Sequence, residues 1–292
     1  MQHEHHHDAE KRISLAFFLN FGFALFEIAG GVFTNSVAIL SDAFHDLGDS
    51  VALVIAWFFE RYSKRTADEK YSFGYRRFSL LGAVINGFII VGGSIFVLTR
   101  ALPRLLHPEA TRSGWMLLFA AVGIVVNGIA VLRLRKGKSY NEKIVFWHLF
   151  EDVLGWVVVL VVSVVLVFRE YYILDPILSI LITLYILFNV ARVIRKTVSV
   201  LLQSVPGGFD IGLIENDIRK IDGVRSVHHT HVWSLDGSHS VLSTHVVVCD
   251  GCSKEEVIRI KGEVRELFSG KNISHLTIET EYECEECGMK EP

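Results

Sequence analysis

The sequence lacks a strong charge bias. Its 29 Lys and Arg stand against 32 Asp and Glu, a formal net charge of -3 over 292 residues, which gives no electrostatic basis for nucleic-acid binding. It has only four cysteines, all from Cys249 onward, so the long apolar segments before them contain no thiolate. That absence argues against a Cu(I) site there. The N-terminus lacks the Lys/Arg-led start of a cleavable signal peptide and is acidic and His-rich instead. The connection Thr34–Asn35 lacks Lys and Arg altogether, whereas the next carries Arg61, Lys64, Arg65, Lys70, Arg76 and Arg77.

What is abundant is apolar: 51% of residues are hydrophobic, gathered in long blocks between short charged loops. A bilayer-spanning helix needs roughly 20 mostly apolar residues. Six blocks meet that requirement, approximately Ile13–Phe33, Ser36–Phe59, Phe78–Ala101, Trp115–Leu134, Ile144–Phe168 and Ile173–Ile194. The Lys/Arg-rich connections alternate with poor ones, and this places both termini in the cytoplasm. The organisation expected is a His-rich arm at 1–12, a six-helix all-α transmembrane domain at 13–204 and a cytoplasmic domain at 205–292 of an integral membrane protein. In a reducing cytoplasm the cysteines should be thiols or metal ligands rather than disulfides.

Two spans carry charge that a lipid-facing helix does not tolerate. The second contains Asp42, His45, Asp46 and Asp49; the fifth contains His148, Glu151 and Asp152. His45 and Asp49 are four apart and share a helix face, as do His148 and Asp152. Two imidazoles and two carboxylates make a four-coordinate nitrogen and oxygen set, which suits Zn²⁺ and argues against Mg²⁺ or Ca²⁺. An interhelical salt-bridge network is the competing explanation, and a second HxxxD on another helix weakens it. Asp42, three residues before His45, is placed to orient it. Asp46 and Glu151 face elsewhere and read as polar contacts. Asn20, Asn86, Asn127 and Asn189 read as interhelical hydrogen-bonding groups, Glu27 as that or a proton-path residue, and Gly82, Gly87, Gly92 and Gly93 as sites of close helix approach.

After Gly208 the pattern changes to helix (Asp210–Ile221), strand (Arg225–Leu235), strand (Ser240–Cys249), helix (Lys254–Phe268) and strand (Leu276–Glu283). Antiparallel strands under two helices, in the order αββαβ, fit a small α+β sandwich. The region holds His228, His229, His231, His239, His245 and His275, with the pairs Cys249/Cys252 and Cys284/Cys287. A CxxC in a reducing compartment is a metal-chelate signal; Cys249/Cys252 precedes a helix, so redox chemistry stays open for it. His229, His231 and His239 read as ordinary sheet-surface residues. The terminal His3-Glu4-His5-His6-His7 has HExxH spacing but no packed cleft or third ligand; a metal-collecting arm or a tag explains it better.

The runs Asn20–Glu27 and Ser36–His45, the segment Phe73–Arg77, the HxxxD of His148 and Asp152, Asp175-Pro176 and His231–Leu235 together resemble the cation diffusion facilitator family over nearly the whole chain. The resemblance implies a homodimer of six-helix protomers in the lipid bilayer, each with a cytoplasmic ferredoxin-like domain. It implies metal export driven by proton entry, with His45, Asp49, His148 and Asp152 as transport ligands. Resemblance to animal vesicular zinc transporters favours His228, His245 and Glu281 as cytoplasmic metal ligands, with His275, Cys284 and Cys287 nearby. Zn²⁺ is then both the transported substrate and a regulatory ligand. Some bacterial relatives have another zinc site built from an Asp and two His. Here Asp68 matches the Asp, but Tyr71 and Tyr75 replace the histidines, so no metal is expected there. Alternatives are a Co²⁺ or Cd²⁺ exporter, a membrane-anchored metal sensor, and a metalloenzyme with Glu151 as general base.

Overall fold

The computed structural model describes residues 18, 20–134, 140–285 and 287, without the side chains at 53, 56, 60, 130, 133–134 and 140–149. The arm at 1–12 lies outside the described residues. The chain divides into two compact units, Met1–Phe58 with Gly82–Val193, and Phe59–Leu81 with Ile194–Pro292.

The apolar blocks form six helices: α1 (Asn20–Thr34), α2 (Val37–Ser63), α3 (Phe78–Leu106), α4 (Ser113–Leu134), α5 (Tyr140–Phe168) and α6 (Leu174–Leu201). Of these, α3, the Phe150–Phe168 part of α5, and α6 are long and apolar enough to cross a membrane by length and composition. Large apolar side chains point outward from the helices: Phe88 is 67% exposed, Phe188 60% and Val125 58%. That exterior suits hydrocarbon, while the buried polar groups, Glu27, Ser41, Asp42, Asp46 and Thr183 among them, lie inside. The last helix runs seven residues past the expected Ile194, because Ala191–Leu201 contains neither Gly nor Pro to stop it.

The turn between α1 and α2 is short because Asn35 adopts the left-handed conformation, φ 57°, which Asn tolerates better than most residues. Arg104 holds this turn, donating to the Asn35 carbonyl at 2.8 Å and side-chain oxygen at 2.6 Å. The start of α2 is capped across the bundle. Asp175, fully buried at the beginning of α6, accepts from Ser36 Oγ at 2.5 Å, Val37 N–H at 2.8 Å and Ala38 N–H at 3.3 Å. Close helix approach occurs at Gly123, where a methyl group would come within 2.2 Å of the buried Trp156 ring. In α3, by contrast, a methyl on Gly92 would meet nothing within 4 Å, and one on Gly93 only ordinary contact with Phe44. The small-residue reading is therefore corrected at Gly92 alone, where no described neighbour approaches; at Gly93, Phe44 of α2 packs at ordinary contact distance.

In the second unit, the connection 64–77 folds around rings packed edge-on or tilted. Tyr62, Tyr71, Tyr75 and Phe78 pack with centroids 4.6–5.6 Å apart. The soluble part contains α7 (Ile211–Arg219), β1 (Val224–Ser234), β2 (Ser240–Val248), α8 (Lys254–Leu267) and β3 (Ile273–Tyr282). Asp210 caps α7, and Ser253 with Glu256 forms a capping box on α8. Ile214 and Ile218 of α7 and Ile260 and Val264 of α8 bury against Val227, Val232, Leu242 and Val246 of the sheet. The sheet order is β1-β2-β3. The first pair is an antiparallel hairpin, but β2 and β3 are parallel, which corrects the expectation of antiparallel strands throughout. The reason is α8: a helix between two strands carries the chain back to its starting end, so the next strand runs the same way. This is a ferredoxin-like αββαβ domain with helices on one sheet face only.

Candidate metal sites in the two units

In the helical unit, His45 and Asp49 lie one turn apart on α2, with His45 Nε2 3.6 Å from Asp49 Oδ2. His148 lies within α5, but its side chain is outside those described. Asp152 of α5 is half-buried and lies within electrostatic reach of Glu27 and Asp42. α2 and α5 meet beside these residues, since a methyl on Gly155 would sit 3.9 Å from Asp42 Oδ1. Gly155 follows Asp152 by three positions and Asp42 precedes His45 by three, so each marker lies on the face of the ligand pair on its helix. Asp42 thus packs toward α5.

The remaining polar groups divide by role. Asn20 bridges α1 to α2, donating to the Asp46 carbonyl and Ser50 Oγ, both at 3.1 Å. Glu151 accepts from the Tyr185 hydroxyl on α6, a polar contact between helices. Ser41 and Thr183 share a hydrogen bond of 2.9 Å and line a small cavity with His45 and Ser94. Asn86 Oδ1 and Asn127 Nδ2 are buried without a hydrogen bond, so these atoms make no interhelical bond.

The second cluster sits on the sheet face opposite the helices. His228 of β1 pairs in register with His245 of β2, and Val247 with Glu281 of β3. Alternation therefore sends His228, His245 and Glu281 to one face. His245 Nδ1 lies 2.7 Å from Glu281 Oε1, and His228 Nε2 3.2 Å from Glu281 Oε2. The chain beyond β3 turns back, with Glu285 N–H bonded to the Tyr282 carbonyl at 2.9 Å. Cys287 is thereby placed with Sγ 3.8 Å from His245 Nδ1. One ligand atom from each of His228, His245, Glu281 and Cys287 lies within 4.8 Å of the others. Tetrahedral zinc at roughly 2.0–2.3 Å from its ligands sets them about 3.3–3.8 Å apart, so modest side-chain rotation closes the set. The donors fit a metal: His228 Nε2 is buried without a hydrogen bond. Burial pushes the Glu281 carboxyl up, but bonds from His245 and Cys287 and the nearby imidazoles outweigh it and hold it below its usual range. A carboxylate ionised at neutral pH is ready to bind a cation.

Two residues expected near this cluster are not brought to it. Cys284 turns to Asp250, whose Oδ1 accepts the Cys284 N–H at 3.0 Å, and the hydrogen bond to Asp250 pushes its thiol up. His275 stacks edge-on against Phe73 at 5.6 Å. Conversely, His229, read as an ordinary surface residue, has its ring 5.2 Å from those of His228 and His245. A β-bulge between His228 and His231, with His229 at φ 47°, breaks the alternation and returns His229 to the same face. Nothing in the composition of the strand signals that bulge.

The expectation of four reduced or metal-bound cysteines is corrected at Cys249 and Cys252, which form a disulfide. The Cys252 N–H bonds to the Cys249 carbonyl at 3.0 Å, and this turn holds the Cα atoms 5.3 Å apart, within disulfide reach. Compartment arguments do not see that geometry. At the other location where relatives were expected to differ, Asp68 accepts from Lys70 N–H, Tyr71 N–H and the Tyr75 hydroxyl, the last at 2.6 Å. The Tyr75 hydroxyl first, then the backbone, hold Asp68 below the usual carboxylate range, while the Tyr75 phenol is pushed up to about 12. Three hydrogen bonds thus engage this carboxylate, two on Oδ1 and one on Oδ2.

Comparison with known proteins follows the same division of the chain. Residues 13–202 match the cation efflux transmembrane domain, and residues 206–283 match the cytoplasmic domain of cation efflux proteins. The metal cation efflux system protein CzcD of Cupriavidus metallidurans is 33% identical over 282 residues, covering 96% of this chain and 89% of that protein. The cadmium, cobalt and zinc/H(+)-K(+) antiporter of Bacillus subtilis is 30% identical over 288 residues, with 97% and 93% covered. The zinc transporter ZitB of Escherichia coli is 30% identical over 295 residues, with 97% and 93% covered. The metal-bound C-terminal domain of the CzcD transporter, a solved structure, is 30% identical with a TM-score of 0.23, covering 25% of this chain and 99% of its own. The chain belongs to the cation efflux family, the cation diffusion facilitators, and is a membrane transporter of divalent metal cations rather than an enzyme.

Proposed function

We propose that this protein is a Zn²⁺/H⁺ antiporter that moves zinc out of the cytoplasm, with His45, Asp49, His148 and Asp152 as the transport ligands. The observation that carries the reading is the meeting of α2 and α5 at Asp42 and Gly155, beside the two HxxxD pairs. Metal binding requires deprotonated imidazole and carboxylate, so zinc entry expels protons and protons from the far side expel zinc. One site holding either metal or protons couples the two flows as the bundle alternates its opening. The protein acts as a homodimer with both termini cytoplasmic, a reading supported by the Lys/Arg distribution and the matched cytoplasmic domain. His228, His245, Glu281 and Cys287 hold a regulatory zinc ion.

The test is zinc flux by purified protein in liposomes under an imposed pH gradient. Wild type is expected to accumulate zinc in exchange for protons, and Asp49→Ala or Asp152→Ala to reduce flux at least a hundredfold, the loss of a transport ligand costing about 3 kcal/mol or more. Near-normal flux by either folded variant removes the site from the transport path. Zinc binding without flux by wild type makes the protein a sensor.

A further inference from the structure

We propose that the second unit contains a binding site for a phosphate group, in a cavity of about 790 Å³ between the connection that follows α2, the β1–β2 turn and the start of β3. Lys64, Arg65, Arg76, His239 and His275 line it. This volume is in the range of small-molecule sites. The guanidiniums of Arg65 and Arg76 face one carboxylate among the lining residues, Asp236, and that carboxylate is already engaged: it accepts from the Ser238 and His239 N–H groups and lies 2.8 Å from His239 Nδ1. It therefore does not neutralise the arginines.

Arg76 carries the proposal. Its Nη1 is buried and makes no hydrogen bond, although a guanidinium has five donors and leaving one unsatisfied out of water is costly. A solvated basic face, the ordinary fate of Lys and Arg, would not bury that nitrogen. Arg65 is held in place by its stack over Tyr62, 4.4 Å from the ring centroid, and Gly74, at φ 75°, turns the loop tightly beside them. The positioned guanidiniums supply the forked donors that match phosphate oxygens. Lys64 and Arg65 directly follow α2, and Arg76 closely precedes α3. Both helices belong to the transmembrane domain, so the site lies where lipid headgroups are. An anionic phospholipid headgroup and a soluble phosphate share the required chemistry.

The test uses the full-length protein purified in detergent. Native mass spectrometry measures retention of phosphatidylglycerol against phosphatidylcholine, and calorimetry measures binding of inorganic phosphate. Wild type is expected to retain phosphatidylglycerol, with Arg76→Gln and Lys64→Gln each weakening retention about tenfold, the loss of one charge-assisted contact, and Arg76→Lys weakening it less. Inorganic phosphate binding that shows the same dependence, without lipid selectivity, assigns the site to a soluble phosphate. The proposal is overturned if neither probe binds wild type, or if both bind the folded Gln variants as tightly as wild type. Unfolding temperatures of the variants show which are folded; if Arg76→Gln is not, Lys64→Gln decides.

Discussion

Asp175 marks the start of α6, and the structure gives it a structural role that can be measured. Its carboxylate accepts two backbone N–H groups from the first turn of α2 and the Ser36 hydroxyl, and Ser36 Oγ in turn accepts the Ile39 N–H at 3.2 Å. A negative group at a helix N-terminus also opposes the positive end of the helix dipole. Asp175→Ala strands two buried donors at about 1–3 kcal/mol each and weakens the Ser36 cap by about 1 kcal/mol. The sum is about 3–7 kcal/mol, a large share of the 5–15 kcal/mol typical of folded proteins. Asp175→Asn keeps one acceptor oxygen and should lose about half as much. At about 2–4 °C per kcal/mol for a chain of this size, the Ala variant should melt about 10 °C lower in detergent, followed by circular dichroism. Below its melting temperature, where the bundle is still folded, it should still bind zinc with unchanged stoichiometry. An unaltered melting temperature together with lost zinc binding refutes the capping argument and makes Asp175 part of the metal path.

Replacing an imidazole with a carboxylate hardens a site, so His45→Asp should shift relative flux in liposomes from Zn²⁺ toward Mn²⁺ or Cd²⁺; an unchanged ratio removes His45 from the ligand set. Cys287→Ser should weaken zinc binding to the cytoplasmic cluster by at least about tenfold in a chelator competition, while Cys284→Ser, whose residue faces Asp250, changes it little, and both variants keep flux at saturating zinc. Equal effects of the two would mean that the tail adopts another arrangement when metal binds. Asp68 ionises below the usual carboxylate range, so its contribution to stability is complete above the unfolded carboxylate pKa and is lost as pH falls through the lowered value. Tyr75→Phe should therefore flatten the fall in melting temperature between about pH 5 and pH 2, and an unchanged acid slope would show that the hydroxyl contributes nothing.

Much of the fold was legible because its determinants are local. Long apolar blocks and short charged loops mark the helices, and alternation marks the strands. The strand direction of β3 was also available in principle, since α8 stands between it and β2, and a crossover helix dictates a parallel partner. What was illegible depends on contacts between distant residues. That α4 and α5 meet at Gly123 rests on the bulk of Trp156, 33 positions away, and a run of glycines in α3 gives a stronger sequence signal for an approach that Gly92 does not make.

The cytoplasmic cluster shows the same limit at a finer scale. His228, His245 and Glu281 converge because register puts His228 opposite His245 and Val247 opposite Glu281, and register is set by the whole core. Spacing alone gives Cys284 and Cys287 equal claims, since a CxxC pair is symmetric as a motif. The turn at Tyr282–Glu285 breaks that symmetry: it points Cys284 at Asp250 and brings Cys287 to His245. His229 is the reverse case. Strict alternation sends it away from His228, yet the bulge returns it, giving three mutually adjacent imidazoles. A non-glycine residue held at positive φ beside a candidate metal site is strain that the surrounding sheet must support. The adjacency it produces places a third imidazole ring beside those of His228 and His245.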